Sequence, residues 1–238
     1  MAAWGYFEEL NPRSLGIILK RAPVAYIPIG AYEWHAGALP FGTDTYRVRN
    51  VAAAVARKMG GVVLPSVWGT DIVRESQGRT WWGMETFVET PLSGNACMLS
   101  AATFRRVLDD MIQSCVHLGF RQVLLLTGHG AKNQITLMQQ AAKRANRRGE
   151  IRAHYVDFWK IYHAGPDTEQ HGGAAEIAEM QVLQPHLVDV RRFAATAVEQ
   201  ATGLDKRQLR LADPAFGRQL LGGQVRDIIA EMKAVWGA

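Results

Sequence analysis

The sequence predicts an α/β protein with a mostly parallel central sheet and helices on both of its faces. Two observations carry that expectation. Short apolar runs bounded by glycine alternate along the chain with helix-periodic segments, the order that builds right-handed strand–helix–strand crossovers. One of those runs, Val123-Leu-Leu-Leu126, is continuously apolar, as a strand covered on both faces must be.

In chain order, Val24-Ala-Tyr-Ile-Pro-Ile29 reads as the first strand and Gly30 ends it. A Gly- and Pro-punctuated loop leads to a helix from about Asp44 to Met59, with Val48, Val51, Ala52 and Val55 at helical spacing. Gly60-Gly61 stops that helix, and Val62-Val-Leu64 reads as a second strand. A long Trp- and Gly-rich stretch, residues 66–95, follows. It reads either as a loop lining a site or as a buried hairpin packed by Trp68, Trp81 and Trp82. Ser100 caps an amphipathic helix to about Leu118, carrying Phe104, Leu108, Ile112 and Cys115 on one stripe, and Gly119 closes it. The central strand comes next, then a helix from about Asn133 to Arg148 and a strand from Arg152 to Val156. Helices at about Gly173–Leu183 and Ala215–Trp236 complete the pattern.

Of the 238 residues, 48% are hydrophobic and 21% charged, which supports one sizeable core and a single domain over residues 1–238. The net charge is +5, but runs such as Lys143, Arg144, Arg147 and Arg148 sit in helix-like sequence. A solvated helix face accounts for them without nucleic acid. Cys97 and Cys115 form no CxxC pair, the N-terminal residues lack a signal-peptide pattern, and no apolar run reaches bilayer length. A cytoplasmic location is the expectation.

In an open parallel sheet, binding sites lie beyond the carboxyl ends of the strands. The first strand runs into Glu33-Trp-His35 and the central strand into Gly128-His129-Gly130, so two strand ends deliver carboxylate and imidazole to one edge. Glu33 and His35 flank Trp34 and point the same way in an extended segment. Asp44 opens the following helix near that edge, where it could equally be a helix cap. A mixed set of His and carboxylate suits zinc, manganese or iron(II) and disfavours calcium. His171 precedes the helix bearing Glu176 and Glu179, and either glutamate could reach the same edge.

Three separated blocks, IPIGAYEWHAGALPFGTDT, LLLTGHGAKN and QHGGAAEIAEM, together resemble the creatininase (creatinine amidohydrolase) family. The resemblance implies a three-layer α/β/α sandwich, a homo-oligomer (a hexamer in that family), and two divalent metal ions per subunit. Carried over by motif, Glu33, Asp44 and His129 would hold one metal. His35, Asp44 and Glu176 would hold the other, with Asp44 bridging and His171 moving a proton. The chain departs from the family pattern at Ala38, which replaces a histidine, and at Ala131, where creatininases carry a glutamate ligand. The implied activity is metal-dependent hydrolysis of a C–N amide bond, cyclic or formamide, in a small molecule. Hydrolysis of a ring C–C bond in an oxidised inositol such as 3-dehydro-scyllo-inosose is the alternative. A non-catalytic, metal-stabilised binding protein is the alternative of another class.

Overall fold

The structure, a computed structural model, describes residues 2–156, 171–193, 196, 198–199 and 209–237. Its central sheet contains β1 (Trp4–Tyr6), β2 (Val24–Gly30), β4 (Gly61–Val63), β5 (Val67–Trp68), β9 (Gln122–Thr127) and β10 (Arg152–Tyr155). The strand order is β1-β4-β2-β9-β10, with β5 continuing beside the end of β2, and every pairing in this sheet is parallel. Outside it lie two short antiparallel pairs, β3 (Tyr32–Glu33) with β8 (Ala96–Cys97) and β6 (Val73–Ser76) with β7 (Arg79–Trp82).

The axis of the sheet is the six-residue register of β2 on β9, from Val24↔Gln122 to Ile29↔Thr127. Because successive side chains alternate between faces, Ala25, Ile27, Ile29, Val123 and Leu125 fill one core while Val24, Tyr26, Leu124 and Leu126 fill the other. That double burial is why both strands are unbroken apolar runs. Truncating fully buried Leu125 to alanine costs about 2–5 kcal/mol of stability.

Helices α4 (Ala101–Leu118) and α5 (Lys132–Arg148) cover the first face, with α1 (Pro12–Arg21) beside them. Ser100 caps α4 by accepting the Thr103 N–H, and Gly119 ends it in left-handed backbone. Helices α2 (Thr43–Met59) and α7 (Pro214–Trp236) cover the second face. Helix α6 (Ala174–Leu183) packs against both α2 and α7, and a short α3 (Glu85–Val88) follows β7.

The α/β/α layering and parallel sheet agree with the sequence expectation. The Trp-rich segment combines the two readings: Asp71, Ile72, Met84 and Phe87 line a cavity, and a hairpin lies among them without the tryptophan packing expected. It forms the β6–β7 hairpin, but only Trp81 is buried there, while Trp68 and Trp82 are 47% and 42% exposed. Among the described residues, no helix is long and apolar enough to cross a membrane.

Candidate metal centre

Three strand ends meet at one edge: β2 stops at Gly30, β9 at Thr127, and β5 beside β2 at Trp68. The first turn of α2 lies directly over them. A Cβ on Gly128 would collide with the Asp44 carbonyl, so only glycine permits this approach. Glycine there serves the approach of helix to strand. Beyond β2 the backbone is pinned on both sides: the Glu33 N–H donates to Phe41 O and the Trp34 N–H to Asn95 O.

The expected residues converge. Glu33 Oε1 lies 2.6 Å from His129 Nδ1, and Asp44 Oδ2 lies 3.3 Å from the same nitrogen. On the other side, Asp44 Oδ1 lies 3.2 Å and Glu176 Oε2 3.8 Å from His35 Nε2. Asp44 thus offers one oxygen to each histidine. Helix α2 is capped by Gly42 without a side-chain bond, so the helix-cap reading of Asp44 gives way to a carboxylate facing inward. Glu176 stands in the first turn of α6 and reaches back to accept the Gly172 N–H at 2.7 Å. Glu179 turns away from the histidines and binds Arg47 and Gln224.

His171 sits against the centre, its ring 4.2 Å from that of His35 and its Nε2–H donating to Trp34 O. Glu33 Oε2 lies 3.9 Å from that nitrogen. Gly172, at φ +72°, lies on the His35 backbone, where a Cβ would press at 2.9 Å.

Asp71 was not anticipated. Its Oδ1 lies 3.5 Å from His129 Nε2, and the side chain is 5% exposed. It arrives on the loop after β5, and the strand-end rule that found His129 would have found it, but two residues of strand leave no pattern to read. Helix α5 clamps this loop: Asn133 donates to Asp71 O, while Gln134 accepts the Thr70 N–H and donates to Thr127 Oγ1. Thr127 in turn holds the backbone of His129. Trp159 and Tyr162, aromatic candidates for the walls of a flat substrate pocket, lie outside the described residues.

The electrostatics follow from burial set against opposite charge. Burial pushes the Glu33 carboxyl up to about 7, although His129 and His171 pull it down. Burial works against ionised Asp44 too, but His35 and His129 outweigh it and hold that carboxyl well below its usual range. Asp71 is held down against burial by His129. Glu176 is lowered because Arg47 and His35 overcome burial. Burial also opposes charge on His129 and His35, yet Glu33 and Asp71 raise the first well above its ordinary value. Asp44 and Glu176 raise the second.

These residues fit divalent cations. His35 Nδ1 lies 3.1 Å from Glu33 O, which can only accept, so Nδ1 carries the proton. Nε2 then faces two carboxylates, an arrangement that calls for a positive charge there, a proton on Nε2 in the metal-free ring or a cation in its place. Glu33 Oε1, Asp44 Oδ2, Asp71 Oδ2 and His129 Nε2 are buried and make no aligned hydrogen bond. Ligand atoms of Glu33, Asp71 and His129 lie within 4.8 Å of one another, as do those of His35, Asp44 and Glu176, and those of Glu33, His35 and His171. The centre opens into a cavity of about 330 Å³ whose walls include Ile72, Met84, Phe87 and Lys132.

The creatininase family model, described as creatinine amidohydrolase, matches residues 8–227. A 3-dehydro-scyllo-inosose hydrolase of Thermotoga maritima is 27% identical over 175 residues, covering 72% of this chain and 50% of that protein. A creatinine amidohydrolase of Pseudomonas putida is 28% identical over 187 residues, 71% of this chain and 67% of that one. The chain thus spans half the length of the Thermotoga relative. A solved manganese creatininase shares the fold, with a TM-score of 0.72 at 20% identity over 98% of each chain.

Proposed function

The chain belongs to the creatininase family of enzymes, and on that premise we propose that it is a metal-dependent hydrolase of a C–N amide bond, cyclic or formamide, in a small molecule. The observation that carries this reading is Asp44, which offers Oδ1 to His35 and Oδ2 to His129. Glu33, Asp44 and His129 would hold one divalent cation, and His35, Asp44 and Glu176 the other. Zinc, manganese and iron(II) all suit such a mixed nitrogen and oxygen set. When bound, two such cations supply Lewis-acid polarisation and lower the pKa of water.

The gathering of carboxylates supports a cation-binding reading: Asp44, Glu176 and Glu179 face the Arg47 guanidinium and Glu33 and Asp71 face His129, so five carboxylates meet at one edge, four of them buried.

His171 is the proposed proton carrier. Its Nε2–H is engaged by Trp34 O, so Nδ1 is the atom left to exchange a proton. In hydrolysis His171 Nδ1 would take a proton from the attacking water, the resulting hydroxyl would add to the carbonyl carbon, and as the C–N bond breaks Nδ1 would return that proton to the departing nitrogen. The Ile72, Met84 and Phe87 walls would exclude water and hold a small substrate over Glu33 and His129.

Cleavage of a ring C–C bond in an oxidised inositol is the second reading. It is favoured by the Thermotoga relative and by Ala131, where a carboxylate is missing from the central block. Residues 1–238 would form one domain, acting in the cytoplasm as a homo-oligomer.

The test is metal quantification on the purified protein combined with a screen of lactams, formamides and carbocyclic diketones. Chelator-sensitive amide hydrolysis is expected. Diketone cleavage with every amide inert would replace the C–N assignment and keep the metal centre.

A further inference from the structure

Arg47 follows Asp44 by one turn of α2 and is only 3% exposed. Its Nη1–H donates to Glu176 Oε1 at 2.5 Å, and its Nε–H donates to Glu179 Oε2. Gln224, on α7, donates its Nε2–H to the other oxygen of Glu179. Helix α7 is itself seated tightly on α6, since a Cβ on Gly217 would enter the Ala178 carbonyl. A continuous buried path therefore runs from Gln224 through Glu179 and Arg47 to Glu176, whose Oε2 faces His35.

Burying a guanidinium against two carboxylates is an expensive way to gain stability, because desolvation consumes much of the attraction. The arrangement makes more sense as positioning. The planar guanidinium grips two carboxylates at once, which the point charge of lysine cannot do. It occupies Oε1 of Glu176 and, with the Gly172 N–H on Oε2, leaves the carboxylate little freedom to rotate. We propose that Arg47 is a positioning residue that orients Glu176 toward the His35–Asp44 half of the centre, anchored by Glu179 and Gln224 on the far side.

This inference rests on the metal-centre reading, and its test separates the two. Chelator-stripped protein is titrated with Zn²⁺ against a competing dye, and stepwise affinities are compared for wild type, Arg47→Lys and Gln224→Leu. Thermal melting of each metal-free protein checks folding. Wild type is expected to take up two equivalents. Arg47→Lys should keep one affinity near wild type and weaken the other by about 10–100-fold, the usual effect of removing an outer partner of a metal ligand. Gln224→Leu, further from the centre and less disruptive to bury, should weaken the same step by a smaller factor. Loss confined to one step separates positioning from general loosening, which would weaken both. Two unchanged affinities in both variants, or equal weakening of both steps, overturns the assignment to Arg47. A wild-type protein that binds no Zn²⁺ overturns the metal-centre reading itself, and this inference with it.

Discussion

The two halves of the centre are built differently although Asp44 serves both. The His35 half is braced from behind: Glu176 is held by Arg47 and Gly172, and His35 Nδ1 by the Glu33 carbonyl. The His129 half is held from behind only through its backbone, by Thr127, which Gln134 holds in turn, and its side chains face one another, with Glu33 Oε1 2.6 Å and Asp71 Oδ1 3.5 Å from the His129 ring nitrogens. Three of the four buried atoms at the centre that make no aligned hydrogen bond, Glu33 Oε1, His129 Nε2 and Asp71 Oδ2, belong to this half, and it faces the cavity. The difference teaches a division of labour. One half carries the guanidinium of Arg47 as countercharge and a fixed geometry, whereas the other sets Glu33 and Asp71 against the imidazole of His129 alone.

The largest effect should come from breaking what the halves share. Asp44→Asn preserves shape but removes the charge facing both histidines, so Zn²⁺ or Mn²⁺ uptake should vanish at both steps. Hydrolytic activity should fall by about 10³-fold or more, at least as much as losing one transition-state donor costs. Elemental analysis and steady-state rates check this.

The next test removes one half alone. His129→Ala should abolish one metal equivalent and leave the other, because His35 and Glu176 lie on the opposite side of Asp44. Calorimetric titration showing both equivalents intact would break the comparison. Asp71→Asn should be milder. If Asp71 supports His129 from its Nε2 side, one affinity should drop by about 10–100-fold while the other holds.

The smallest and most diagnostic effect is with pH. In the metal-free protein, Glu33 is raised to about 7 and both histidines are raised, so protons occupy groups that a cation would need bare. Metal affinity should therefore fall as pH falls. The slope should be steeper for the His129 half, where Glu33 and His129 each give up a proton, about two against one for His35. Stability of the metal-free protein should run the other way. Groups whose folded pKa is raised stabilise at low pH and lose that contribution as pH climbs, from about 4.5 to 7 for Glu33 and above about 6.5 for the histidines. Melting curves across that window, with and without Zn²⁺, would diverge as pH rises.

The same contrast explains what could be read from the sequence. Strand ends announce themselves: the apolar runs before Gly30 and Gly128 pointed to Glu33, His35 and His129, and the structure brings those three and Asp44 together. Only the family motif separates Glu176 from Glu179 in the sequence, because the orientation of each depends on a helix pairing that no local pattern encodes. Arg47 reads in sequence as one more basic residue on a helix face, TDTYRVRN, and is buried only because α6 and α7 close over it. Asp71 depends on β5, whose two residues are a strand only by virtue of lying beside β2. Helix α1 has a local start signal of its own, Asn11 before Pro12, which a reading led by apolar strand runs does not reach. Local chemistry was therefore visible, and chemistry assembled by tertiary packing was not.

The central claim, two divalent cations bridged by Asp44, is tested most directly by equilibrium titration of chelator-stripped protein, wild type beside Asp44→Asn. Two equivalents per chain in wild type and none in the variant is the predicted result. No uptake by wild type, or two equivalents retained by Asp44→Asn, would contradict it.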